Sequence, residues 1–219
     1  TFTINEMMEL GEGKPPGESI IRCEIHPILT DFKPLVNKAI LKGNLAMKTL
    51  YLVDSEQGLT ETAEHDIPFS QIVDVDGLNE EWEVDADLQV QSNEVGLSVN
   101  HSGDSSLLSV NVKLQADIRC YQTGTAEVVT DAYSTRCPLS IQTKPLEVFQ
   151  LVGIRRDTPV FRDTFDLPTD NIREIIDIWC DVDTAPARFD PQTGNVEGRM
   201  MICMLVRDNN NEIAYYERV

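Results

Sequence analysis

LLSVNVKLQADIRCY, residues 107–121, decides the fold class. Leu108, Val110, Val112, Leu114, Ala116, Ile118 and Cys120 share one parity, and Ser109, Asn111, Lys113, Gln115, Asp117 and Arg119 share the other. Side chains alternate between the two faces of a β-strand, so this pattern predicts a strand with one buried and one wet face. The run is longer than the usual five or six residues, which predicts a bend or bulge within it. Just upstream, WEVDADLQV (82–90) alternates in the same way through Val84, Ala86, Leu88 and Val90. After a break at Asn93 and Glu94 the pattern resumes at Val95, Leu97 and Val99. NHSGDSS (100–106) supplies the Gly, Asn, Asp and Ser that tight turns require, so the two runs form a hairpin.

Further strands are expected over 20–29, 39–54, 72–75, 126–135, 146–154, 175–182 and 195–208. A helical period is scarce: TDNIRE (169–174) and PFSQI (68–72) are the best short candidates. Many short strands separated by turn signals predict a mainly β chain, an antiparallel β-sandwich or open barrel.

The stretch IIDIWCDV…VEGRMMICMLVRD repeats the pattern of IIRCEIHP…LKGNLAMKTLYLVD. At one constant offset, Ile20 and Ile21 fall on Ile175 and Ile176, Gly43 on Gly198 and Leu50 on Leu205. Leu45, Met47 and Tyr51 fall on Met200, Ile202 and Val206. Each copy follows a stretch that reads as strand then loop, MMELGEGKPPGE and TFDLPTDNIRE. A period this long indicates tandem domains rather than a solenoid. We therefore expect a first β domain over 1–142 and a partial second copy over 143–219, whose terminal hairpin packs on the first domain or pairs with another chain.

The 219 residues carry 18 Lys+Arg against 37 Asp+Glu, a formal net charge of −19. Nucleic-acid binding depends on neutralising phosphates with cations, so this balance disfavours DNA and RNA, and anionic lipid for the same reason. No apolar run is long enough to cross a bilayer, so direct membrane insertion is not expected. Cys23, Cys120, Cys137, Cys180 and Cys203 form no CxxC pair, which argues for reduced, mostly buried thiols rather than a disulfide framework or a zinc site.

No catalytic, cofactor-binding or metal-ligating residue is nominated. His26, His65 and His101 lack ligand spacing, and GKPPG lacks the spacing of a phosphate loop. The acids of DVDG (Asp74, Asp76) with Glu80 and Glu81, and Asp177, Asp181 and Asp183, do not follow a calcium-loop pattern. Trp82 and Trp179 read as strand packing rather than a sugar platform, and Arg155 and Arg156 as a solvated linker.

GKPP, SIIRCEI, ILKGNLAMKTLYLVD, DIPFSQIVDVDG, SLLSVNVKLQADIRCY and DAYST, in that order, resemble the SPOCS (spore coat structural) domain family. The resemblance spans about 14–140 and, in part, 160–219. It implies tandem β-domains and a non-enzymatic structural or assembly protein of the bacterial endospore coat. Its expected partners are other coat or morphogenetic proteins, self-association included, and its expected location is the mother-cell cytoplasm at the forespore surface. Family members often add a LysM module, absent from this sequence, so no partner-binding role transfers to a residue here. The alternative is a cell-envelope carbohydrate-binding or hydrolytic β-protein.

Overall fold

Nine strands and no helix make up the regular structure among the described residues. The computed structural model describes residues 1–154, 160–164, 166, 171–190, 193 and 195–219, with side chains for all of these except 183–190 and 195–197. The strands are β1 (Phe2–Glu9), β2 (Ser19–Leu35), β3 (Lys38–Asp54), β4 (Leu59–Asp74), β5 (Glu83–Ser98), β6 (Leu107–Tyr121), β7 (Ile172–Asp190), β8 (Asn195–Asp208) and β9 (Ile213–Arg218). They form three antiparallel sheets of three strands: sheet I in the order β1-β6-β5, sheet II as β2-β3-β4 and sheet III as β7-β8-β9.

Sheets I and II face each other across one core, so the architecture is a sandwich and not a closed barrel. Leu108, Val110, Val112 and Leu114 of β6 are buried opposite Leu41, Leu45, Met47 and Tyr51 of β3. The Phe2 and Phe69 rings meet across the sandwich with centroids 5.7 Å apart.

The expected bulge lies in β5, between Val90 and Ser92, not in β6. The central strand β6 is hydrogen-bonded on both sides, so an extra residue there would disrupt two ladders, whereas edge strand β5 loses only one. The bulge also explains a change of parity in the sequence. Val84, Ala86, Leu88 and Val90 are even, Val95 and Leu97 odd, and one inserted residue keeps both sets on the core side. Asn93 and Glu94 accordingly stay in the ladder, opposite Val112 and Asn111.

Both helix expectations fail. PFSQI lies within β4, where Ile67 faces Leu45 and Phe69 faces Gly43. Residues 172–174 open β7, and 169–170 lie outside the described residues. Pro27 and Pro34 of β2 and Pro68 of β4 all sit on edge strands, where a missing N–H costs no ladder bond on the open side. The strands expected over 126–135 and 146–154 do not form: both stretches are exposed throughout and lack regular structure. Their apolar side chains find no neighbouring sheet, with Val129 88% and Phe149 94% exposed, and a lone strand has no partner for its backbone. Of TFDLPTDNIRE, the described residues before β7 show no strand.

Sheet III repeats the ladder of sheet II at the offset read from the sequence. Ile20↔Tyr51 becomes Ile175↔Val206, Arg22↔Leu50 becomes Asp177↔Leu205, and the correspondence runs on to Ile28↔Asn44 and Asp183↔Arg199. Even the bulge between Ile20 and Arg22 recurs between Ile175 and Asp177. The following turns are also built alike: Asp54 Oδ1 accepts from the amides of Glu56 and Gln57, and Asp208 Oδ1 from those of Asn210 and Glu212.

Gly43 marks the tightest point of sheet II, since a Cβ there would lie 2.2 Å from the Ile28 carbonyl oxygen and 2.6 Å from the Phe69 ring. Gly43→Ala is expected to destabilise the chain by about 1–3 kcal/mol. Gly96→Ala, which meets nothing within 4 Å, should shift the urea midpoint little; equal shifts for the two would refute this packing account.

Candidate interaction surface

In sheet II the parity opposite to the core places Arg22, Glu24, Lys48 and Leu50 on the outer face. An outer face normally meets solvent, yet Leu50 is only 2% exposed. Sheet III lies against it. Asp177 of β7, with a side chain 2% exposed, takes an ion pair from Lys48 and a second from Arg22 at 3.4 Å. The Arg22 guanidinium also lies 3.9 Å from the centre of the Trp179 ring and pairs with Glu24. Trp179 in turn stacks on Tyr215 of β9, with centroids 5.8 Å apart.

A second anchor lies one strand end away. Arg207 is 4% exposed, and its Nη2 donates to the Gly58 carbonyl oxygen at 2.7 Å while Nε donates to Glu174 at 2.7 Å. Gly58 presents that carbonyl from the β3–β4 turn with φ at +64°, a conformation glycine adopts without strain. The Tyr215 hydroxyl donates to Cys203 Sγ at 3.1 Å. That bond, with burial and the nearby Glu217, pushes the phenol well above its ordinary range. The surface is a charged centre with an aromatic flank, and it holds sheet III against sheet II.

A family model described as SipL, SPOCS domain, matches residues 18–98. Over these residues the chain is similar to a SPOCS domain. The matched span runs from β2 through β5, so sheet II lies wholly within it, and β1 and β6 complete the sandwich from outside it. The SPOCS family is a structural and assembly family associated with the spore coat. No curated protein and no solved structure matches the chain.

Residues weighed in the sequence take varied places around the matched region. His26 and His65 come together, lining a shallow cavity of about 400 Å³ with Lys48, Glu64 and Asp66 on sheet II. His65 Nε2 bonds the Glu9 carbonyl oxygen at 2.8 Å. His101 stands exposed in the β5–β6 turn. Among the described residues no three His, Cys, Asp or Glu side chains are grouped to hold a metal. Of the acids, Asp74 pairs with Lys38, whereas Asp177 joins two sheets, a role the sequence alone did not suggest. Trp82 is half-buried in the β4–β5 loop, Trp179 belongs to the interface, and Arg155 and Arg156 lie outside the described residues.

The five cysteines are free thiols, but fewer are buried than expected. Cys203 is buried, Cys23 and Cys120 are half-buried, and Cys137 and Cys180 are exposed. Cys137 is exposed because its segment joins no sheet, and Cys180 because no described residue covers its side of β7. Burial raises the Cys23 thiol above its ordinary value, with a partly opposing hydrogen bond to Thr49.

Asp177 gives the interface its test. Removing both cations, Arg22→Ala with Lys48→Ala, strands a buried carboxylate and is expected to cost about 3–5 kcal/mol. Adding Asp177→Asn should recover part of that loss. Urea unfolding read by Trp179 emission in a Trp82→Phe background measures it, and a triple variant no more stable than the double would show that Asp177 is not the anchor.

Proposed function

We propose that this chain is a non-enzymatic assembly protein of the bacterial endospore coat, acting in the mother-cell cytoplasm at the forespore surface. The SPOCS match over residues 18–98 carries this reading. Its units are a β domain over 1–142 and a partial second copy over 143–219, a reading that the shared ladder register of sheets II and III supports. Its partners are other coat or morphogenetic proteins and further copies of itself.

The physical means of assembly is protein surface, not chemistry. Long strands give long edges and broad faces, and such edges and faces join proteins by strand addition or by packing. Prolines at positions 27, 34 and 68 interrupt the open edges of sheet II, which guards them against indiscriminate strand addition and favours docking through faces. The net charge of −19 keeps copies apart unless a face offers specific complementarity.

Fluorescence imaging of the tagged full-length parent protein in sporulating cells tests the proposal. A ring that closes around the forespore and is missing from vegetative cells is the expected result. Signal spread through the cytoplasm or along the vegetative wall would overturn the coat reading.

A further inference from the structure

We propose that the contact between sheets II and III is exchangeable between chains, so that sheet III of one copy docks on the outer face of sheet II of a second. The observation behind this is a symmetry in the contact itself. Arg22 and Asp177 occupy the same position of the repeated ladder, opposite Leu50 and Leu205. They are also the residues that touch, at 3.4 Å. Equivalent positions of two like halves also meet in an isologous contact. Two copies of one β-hairpin pattern therefore meet here at the same point of their ladders.

The side chains at that position decide which halves pair. If sheet II met sheet II of another chain, Arg22 would face Arg22 with Lys48 beside it. If sheet III met sheet III, Asp177 would face Asp177. Like charges brought together in a contact cost several kcal/mol. The face thus selects a II–III pair and rejects II–II and III–III. It does not select whether the two sheets belong to one chain.

The connection between the units leaves both options open. Residues 122–154 are exposed and free of regular structure, and as a flexible coil that stretch alone would span ~30 Å. Tethers of this kind give an effective concentration on the order of millimolar, so the closed single chain prevails in dilute solution. At comparable concentrations of chain, exchange links copies through the same contact with no new surface required. The inference does not depend on the coat assignment. Exchange in solution and location in the cell are read by separate experiments, and either can fail alone.

Mixing two charge variants of the full chain provides the test. Arg22→Asp with Lys48→Ala leaves Asp177 facing an aspartate with no cation in that chain, and Asp177→Arg sets an arginine against Arg22 and Lys48, so each variant opposes the contact within its own chain and between its own copies. Mixed in equal amounts, the first offers an intact sheet III to the intact sheet II of the second. Light scattering should give single-chain mass for each alone and twice that mass for the mixture, and the Arg22→Asp, Lys48→Ala, Asp177→Arg triple variant should return to single-chain mass. A mixture that keeps single-chain mass would overturn the proposal. Wild-type protein gives a check free of folding defects: equal amounts of heavy- and light-isotope chains, incubated together and treated with a carbodiimide, should join Lys48 to Asp177. Pairs of mixed label should rise with concentration towards half of the total. Same-label pairs alone, up to millimolar chain, would overturn it as well.

Discussion

A carboxylate taken out of water must be paid for, and Asp177 is almost wholly out of water. The cost of burying a charge is several kcal/mol unless cations and hydrogen bonds replace the solvent. Among the described residues both cations of Asp177 come from sheet II, as Lys48 and Arg22. The same Arg22 then covers Trp179, and Trp179 covers Tyr215, so one ion pair fixes the placement of an aromatic stack. Sheet III has its own ladder but borrows its electrostatic balance, which ties it to sheet II.

Repetition with altered outer faces is the second theme. The two hairpins share bulge, register and turn chemistry, because these depend on backbone and on the inward apolar positions. Their outer positions differ: Arg22, Glu24 and Lys48 in one, Asp177, Trp179 and Cys203 in the other. Identical outer faces would have opposed like charges where Arg22 meets Asp177. Different side chains at a few outer positions make the two hairpins a complementary pair on the same ladder.

Much of this was legible in the sequence and some was not. The alternation in 107–121 identifies a strand, and the parity change between Val90 and Val95 carries the bulge. The constant offset from Ile20 to Ile175 anticipated the register of sheet III. By contrast, residues 126–135 and 146–154 carry strand-like composition but no strand, since strand formation depends on a neighbour that local sequence does not reveal. PFSQI misled because a proline on an edge strand resembles a helix start. The Arg22–Asp177 contact joins residues far apart in the chain and escaped notice among many acids. Its one sequence signal, opposite charges at equivalent repeat positions, appears only when the copies are laid in register.

Solution NMR of the dilute full chain tests the docking of sheet III on sheet II most directly, through the side-chain protons of Arg22. If Arg22 lies over the Trp179 ring, its methylene resonances are shifted upfield by the ring current and show contacts to the indole protons. Trp179→Ala should return them to ordinary values. Arg22 methylenes at unshifted positions in the wild-type chain, with no indole contacts, would contradict the account.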